Sequence, residues 1–247
     1  MTEIILDERA WCENILSKFD MGASPVTTLN RLAKYYHSIG CKKSEISRKL
    51  EEFILRCNPS ANMMRWQEVV DTCVKHADKR PLIHIDSIDI NKSELDHISL
   101  LSGQMAQKLA FTLLCIAKYR NAVSPKNDSW VNMDSRDVFR MANAQTTRVR
   151  QYTMMNDLLL AGYVSMNHIV DNVSMRVTFI DNCSDVAMRI TDFRNLGNQY
   201  LNYYHGGYVE CAHCGLVIKR SGRNQKYCKA CSDMKRATNT RRLNCAA

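Results

Sequence analysis

No apolar run in this chain approaches the roughly 20 residues that a membrane-spanning helix needs. The opening stretch, Met1-Thr-Glu-Ile-Ile-Leu-Asp-Glu-Arg9, is too acidic and too short for a secretory signal, so a cytoplasmic location is expected. A glycine-rich phosphate loop is missing, which leaves ATP hydrolysis without support. So are a Gly-x-Ser-x-Gly elbow and a convincing Cys/His nucleophile pair. The carboxylate groupings Asp86/Asp89 and Glu94/Asp96 read as exposed charges or helix caps, not as metal ligands. A nuclease supported by cysteine knuckles would carry a histidine pair beside them. Here His205 and His213 lie upstream of or inside the first knuckle, and none lies between the two pairs. Internal repeats and low-complexity tracts are absent as well. These absences lead to a non-enzyme with no small-molecule substrate and no membrane partner.

What is present is an ordinary globular composition, 45% apolar and 24% charged, in 247 residues that could hold one large domain or two to three small ones. Of the eleven cysteines, seven are scattered singly: Cys12, Cys41, Cys57, Cys73, Cys115, Cys183 and Cys245. Such residues act as small core hydrophobes or free thiols, which fits a reducing compartment. The other four form two C-x-x-C pairs, Cys211/Cys214 and Cys228/Cys231, thirteen residues apart. Each pair can set two thiolates on one side of a tight turn, and two such turns complete a tetrahedral sulfur shell suited to one structural Zn²⁺. Gly215, directly after Cys214, suits a knuckle in which a backbone N–H turns back toward sulfur. His213 could replace one cysteine, but it lies inside the first pair, where four sulfurs need no help. A thioredoxin-like motif would require a strand in a βαβ unit before the pair, and a disulfide would require an oxidising compartment. With four protein ligands the site has no open position and reads as a fold staple.

The charge is uneven. From 205 to 247 there are nine Lys/Arg against two acids, a net +7 of the chain's +9. Four thiolates and Zn²⁺ would contribute −2 and leave this segment near +5. Its cations include Lys219, Arg220, Arg223 and Lys226 between the pairs, and Lys229, Lys235 and Arg236 beyond. A basic knob on a nearly neutral body points to a polyanion, most often DNA or RNA.

Hydrophobic periodicity predicts an α+β protein, mainly α with small β. Residues 1–80 read as a bundle of four helices, with stripes at Trp11/Ile15/Phe19, Leu29/Leu32/Ala33/Tyr36/Ile39, Ile46/Leu50/Phe53/Ile54 (capped by Ser44) and Trp66/Val69/Val70/Cys73. Residues 81–92 alternate like a linker strand and mark the expected domain boundary. In 93–190, Ser93 caps a short helix and a long apolar helix follows from Gln104 to Arg120. A strand lies near Trp130, a helix capped by Asp134 comes next, and after a turn at Ala144-Gln145 a helix runs from Thr146 to Leu160. Its predicted buried stripe is Val149, Tyr152, Met155 and Leu159. A hairpin around Asp171-Asn172 follows. Residues 191–207 form a connecting helix that hands over through Gly206-Gly207, a pair that suggests freedom, to the zinc-binding basic domain, 208–247.

The order helix, strand, helix, turn, helix, hairpin resembles the winged-helix form of the helix-turn-helix. The segment Asp157-Leu-Leu-Leu-Ala-Gly-Tyr-Val164 is similar to that family's junction between last helix and wing. The resemblance implies that the helix from Thr146 enters the major groove by its first turns. Gln145, Thr146, Thr147, Arg148, Arg150 and Gln151 would then face bases and phosphates, and the wing would present His168 and Arg176. One Asp and two Arg give this helix only about +1, weak for a DNA clamp, and many winged helices bind proteins instead. The whole arrangement, ending in Cys-x-x-Cys-Gly … Tyr-Cys-x-x-Cys, also resembles accessory proteins of bacteriophages and mobile elements. That likeness implies a role in the bacterial host cytoplasm, in replication or transcription control. The alternative it implies is an interaction protein that inhibits or recruits a protein or nucleoprotein complex.

Overall fold

The structure, a computed structural model, describes residues 4–166 and 173–244, and their side chains except at 173 and 238–244. Among the described residues, helices and three small sheets make it an α+β protein. Internal contacts divide it into two compact units, Met1–Ser87 and Ile88–Ala247. No helix among the described residues is long and apolar enough to cross a membrane.

The first unit contains α1 (Glu8–Lys18), α2 (Pro25–Ser38), α3 (Lys43–Cys57) and α4 (Met63–His76). Leu29, Leu32, Ile46, Leu50 and Val70, each fully shielded from solvent, meet at its centre. Two of the expected stripes shift. In α1 the buried apolar residues are Cys12 and Ile15, while Phe19 caps the helix in a left-handed conformation and stays exposed. Ile39 likewise lies just past the end of α2 and is exposed. The start of α3 is set by Lys42, whose backbone N–H donates to Glu45 at 2.8 Å, and not by Ser44. Buried Glu8 gathers Arg31 at 3.2 Å, Lys34 at 3.5 Å and the Ile83 amide at 3.0 Å, so its charge is compensated.

The alternating stretch 81–92 is divided. Ile85 donates its N–H to Leu6 and His84 bridges Asp7, within the first unit. Ile88–Asn91 forms β1 of the second unit and pairs antiparallel with β5 (Val186–Ile190).

Between these two strands the second unit runs through α5 (Lys92–Ser99), α6 (Gln104–Val123), β2 (Trp130–Met133), α7 (Ser135–Met141), α8 (Arg148–Leu160), β3 (Val164–Met166) and β4 (Val173–Val177). After β5 come α9 (Leu196–His205), β6 (Tyr208–Glu210), β7 (Val217–Lys219) and α10 (Lys229–Asn244). Helix α6 is the spine: every residue from 109 to 117 is buried, as befits a helix apolar all round. Strands β2, β4 and β3 form one antiparallel sheet in that order, with Val131 opposite Met175 and Val164 opposite Val177. Gly162, at φ +77°, closes α8, its N–H reaching Leu159 and that of Tyr163 reaching Leu158. The expected turn at Asp171-Asn172 and the wing residue His168 lie outside the described residues.

Helix α5 starts at Asn91 rather than Ser93, because Glu94 reaches back to the Asn91 N–H at 2.8 Å. The same carboxylate accepts from Lys118 at 2.8 Å and from the Asp181 N–H at 3.0 Å. Ser93 instead donates its hydroxyl to Asp181. That bond, with the Cys183 N–H at 2.8 Å, holds the Asp181 carboxyl down at about 2. A depressed carboxyl stabilises the fold above its unfolded value and loses that effect as pH falls through the folded one. The account therefore predicts acid loosening between about pH 4 and pH 2, seen as a falling urea midpoint. Asp181→Asn should start from a lower midpoint at neutral pH and lack this acid-dependent step.

Candidate metal centre

The β6–β7 hairpin carries the first cysteine pair in its turn. Tyr208 stands opposite Lys219 and Glu210 opposite Val217. Past Glu210, Cys211 donates its N–H to Leu216 at 2.9 Å and accepts from the Gly215 N–H at 2.8 Å. Gly215 sits at φ +73°, a conformation glycine adopts without the Cβ penalty. The second pair is built differently: Cys228 precedes α10 and Cys231 lies in its first turn, so a helix start replaces a second hairpin turn. The sequence shows no stripe for α10, and the helix was not foreseen.

These elements bring the four sulfurs within 4.8 Å of one another, with Cys211, Cys228 and Cys231 buried and Cys214 half-buried. Cys214 Sγ and Cys228 Sγ are 3.8 Å apart. The Cys228 N–H points at Cys211 Sγ at 3.3 Å, and the Cys231 N–H at Cys228 Sγ at 3.5 Å. Burial opposes ionisation of Cys211, but the backbone N–H groups of Cys228, His213 and Cys214 outweigh it and hold the thiol down at about 6. Cys231 moves the other way, pushed up to about 12 by its bond to the Cys228 sulfur and by burial. The cluster can hold a metal ion. His213 is exposed, its Nδ1 3.4 Å from Cys231 Sγ, beside the sulfur shell and not one of the four clustered donors.

Around this centre Lys219, Arg220, Arg223, Lys226, Lys229, Lys235 and Arg236 are all exposed. Lys235 covers the Tyr227 ring at 3.6 Å.

The residues expected to serve a helix-turn-helix are placed less uniformly. Helix α8 begins at Arg148, so Gln145 and Thr146 belong to the preceding turn and Thr147 is the cap, accepting from the Arg150 N–H at 3.4 Å. Arg148 and Arg150 are exposed, and Arg148 donates to the Tyr152 hydroxyl at 3.1 Å. Gln151 is half-buried and donates to the Thr146 carbonyl at 3.0 Å, so it stabilises the turn. Arg176 is exposed on β4 and pairs with Asp128 at 2.8 Å. Of the predicted stripe of α8, Met155 is buried as expected but Val149 and Tyr152 are not. Met154, Met155 and Leu158 face the core, whereas Val149 (78% exposed) and Tyr152 (60%) face solvent.

Nor does Gly206-Gly207 leave the hairpin loose. Arg194 donates to the Cys214 carbonyl at 2.6 Å, Asn195 and Asn198 both donate to the Val217 carbonyl, and Asn198 also accepts from Asn143 in the α7–α8 turn at 2.9 Å. Sequence reasoning missed all four. The available signal was a glycine between asparagines in Arg-Asn-Leu-Gly-Asn, since Gly197 allows α9 to approach α7 closely. A Cβ there would stand 2.0 Å from the Ala142 carbonyl oxygen. Gly197→Ala is accordingly expected to cost about 1–3 kcal/mol in denaturant unfolding. No family model, curated protein or solved structure matches the chain.

Proposed function

We propose that the chain is a zinc-dependent nucleic-acid-binding protein acting in replication or transcription control. The observation that carries this reading is a sulfur cage collared by seven exposed cations. Zinc fits the donors. At about 2.3 Å per Zn–S bond, a tetrahedron has sulfur–sulfur edges of about 3.8 Å, and the Cys214–Cys228 separation is 3.8 Å. Cys211, Cys214, Cys228 and Cys231 would hold one ion, which supplies structural cross-linking and leaves no position for substrate. Backbone N–H groups aimed at sulfur favour the thiolate forms such an ion requires.

The sheet order β2-β4-β3 beside α6, α7 and α8 supports a winged-helix reading of the middle of the second unit. In that reading Gln145, Thr147, Arg148 and Arg150 meet the nucleic acid at the start of α8, while the collar grips phosphates. A second reading, docking on a protein or nucleoprotein complex, is favoured by exposed Val149 and Tyr152 on α8, since apolar groups on a helix face suit a protein partner. Fluorescence anisotropy of the zinc-loaded chain with labelled duplex DNA and RNA at ~50 mM salt separates the two. Binding to either supports the first, and indifference to both supports the second.

A further inference from the structure

The N-terminal end of α9 touches two places that the sequence keeps far apart. On one side, Asn198 Nδ2 donates to the Val217 carbonyl of β7 at 3.1 Å, with Asn195 Nδ2 on the same oxygen at 3.3 Å and Arg194 on the Cys214 carbonyl. Those two carbonyls belong to the strand and the turn that present the sulfurs. On the other side, Asn198 Oδ1 accepts from Asn143 Nδ2 at 2.9 Å. Asn143 sits in the α7–α8 turn in a left-handed conformation (φ 46°), and its carbonyl is held by Lys108 of α6. Asn198 is 4% exposed. A buried amide using both its ends in this way fixes the relation between its partners, because tilting either one strands a polar group away from water.

We infer that Asn198 is a positioning residue, which transmits the conformation of the metal-bound hairpin to the turn that sets α8. Loading the sulfur cage would then order the start of α8 as well as the hairpin. The inference rests on the metal reading above and does not need nucleic acid to be the partner. Its structural content is narrow. The amides of Ala142, Asn143 and Ala144 are bonded within the turn, to Val138, Arg140 and Phe139, and should open more often when the hairpin loses its metal.

Amide hydrogen exchange on the full chain tests this, comparing protein loaded with one equivalent of Zn²⁺ and protein stripped by a chelator. Stripping should speed exchange in the hairpin and, by roughly tenfold or more, at residues 142–151, while α6 keeps its protection. In Asn198→Ala the hairpin should still respond to zinc, but residues 142–151 should not. Asn143→Gly removes the same bridge from its other end. Because glycine accepts a positive φ, it keeps the inference testable if the buried substitution fails to fold. Residues 142–151 insensitive to zinc in the wild type, or equally sensitive in both variants, would overturn the inference while leaving the metal reading intact. A hairpin that ignores zinc would defeat the metal reading and this inference together.

Discussion

Replacing Cys228 by serine should abolish metal binding and unfold the β6–β7 hairpin together with the start of α10. Cys228 touches all three of the others: its sulfur accepts from the Cys231 N–H, lies 3.8 Å from Cys214 Sγ, and its own N–H supports Cys211. Serine offers an alcohol where zinc requires a thiolate. Beyond the hydrogen bonds of Arg194, Asn195 and Asn198 to the hairpin, little else holds this segment together. Apart from the cysteines, its cluster among the described residues contains only the partly buried Leu216, Ile218 and Tyr227. Burying one such aliphatic side chain completely gains about 1.5–3 kcal/mol, and these are only partly covered. A structural zinc site contributes on the order of 10–16 kcal/mol, so such an ion would outweigh the apolar contacts. The expected result is fast amide exchange at 208–231 and ready alkylation of Cys211, Cys214 and Cys231, with α6 still protected. A variant that keeps its hairpin protected without metal would show that apolar contacts and α9 suffice.

The triple reversal Arg220→Glu, Arg223→Glu and Lys226→Glu tests the collar. All three side chains are exposed between β7 and α10, and none of them is a donor in the sulfur cluster. Metal content should therefore stay at the wild-type level. On duplex, each neutralised phosphate adds about −0.9 to the slope of log K against log salt. Three lost contacts should flatten the slope by about 2.7 and weaken binding at ~50 mM salt by at least about a hundredfold. An unchanged slope would move the contact away from this loop. Arg148, Arg150 and the exposed Val149/Tyr152 face of α8 would then be the next place to look.

The sulfur cage was legible because its information is local: two residues of spacing within each pair and a glycine after the first. The helices of the first unit were legible for a similar reason, since Leu29/Leu32/Tyr36 and Ile46/Leu50/Phe53 repeat at helical period and have one core to face. Helix α8 was misjudged because apolar residues occur on more than one of its sides. Met155 can be continued by Val149/Tyr152 or by Met154/Leu158, and only contact with the unit's interior selects the second. The pairing of Arg176 with Asp128 was hidden because it depends on the pairing of β2 with β4, which composition does not reveal. The docking of the hairpin was hidden for the same reason. Asn143, Asn198 and Val217 are joined by side-chain amides across long separations, and an asparagine gives no sign of which distant carbonyl it will meet. Glu94 shows the mixed case: its helix-capping role follows from spacing, but its grip on Lys118 and the Asp181 amide does not.

The central claim is that four cysteines cage one zinc ion. Elemental analysis of the purified full chain, paired with a thiol-alkylation assay under non-denaturing conditions, tests it most directly. The account predicts about one equivalent of zinc, with Cys211 and Cys228 protected until a chelator is added. Less than about half an equivalent of any metal, with both thiols freely alkylated, would contradict it.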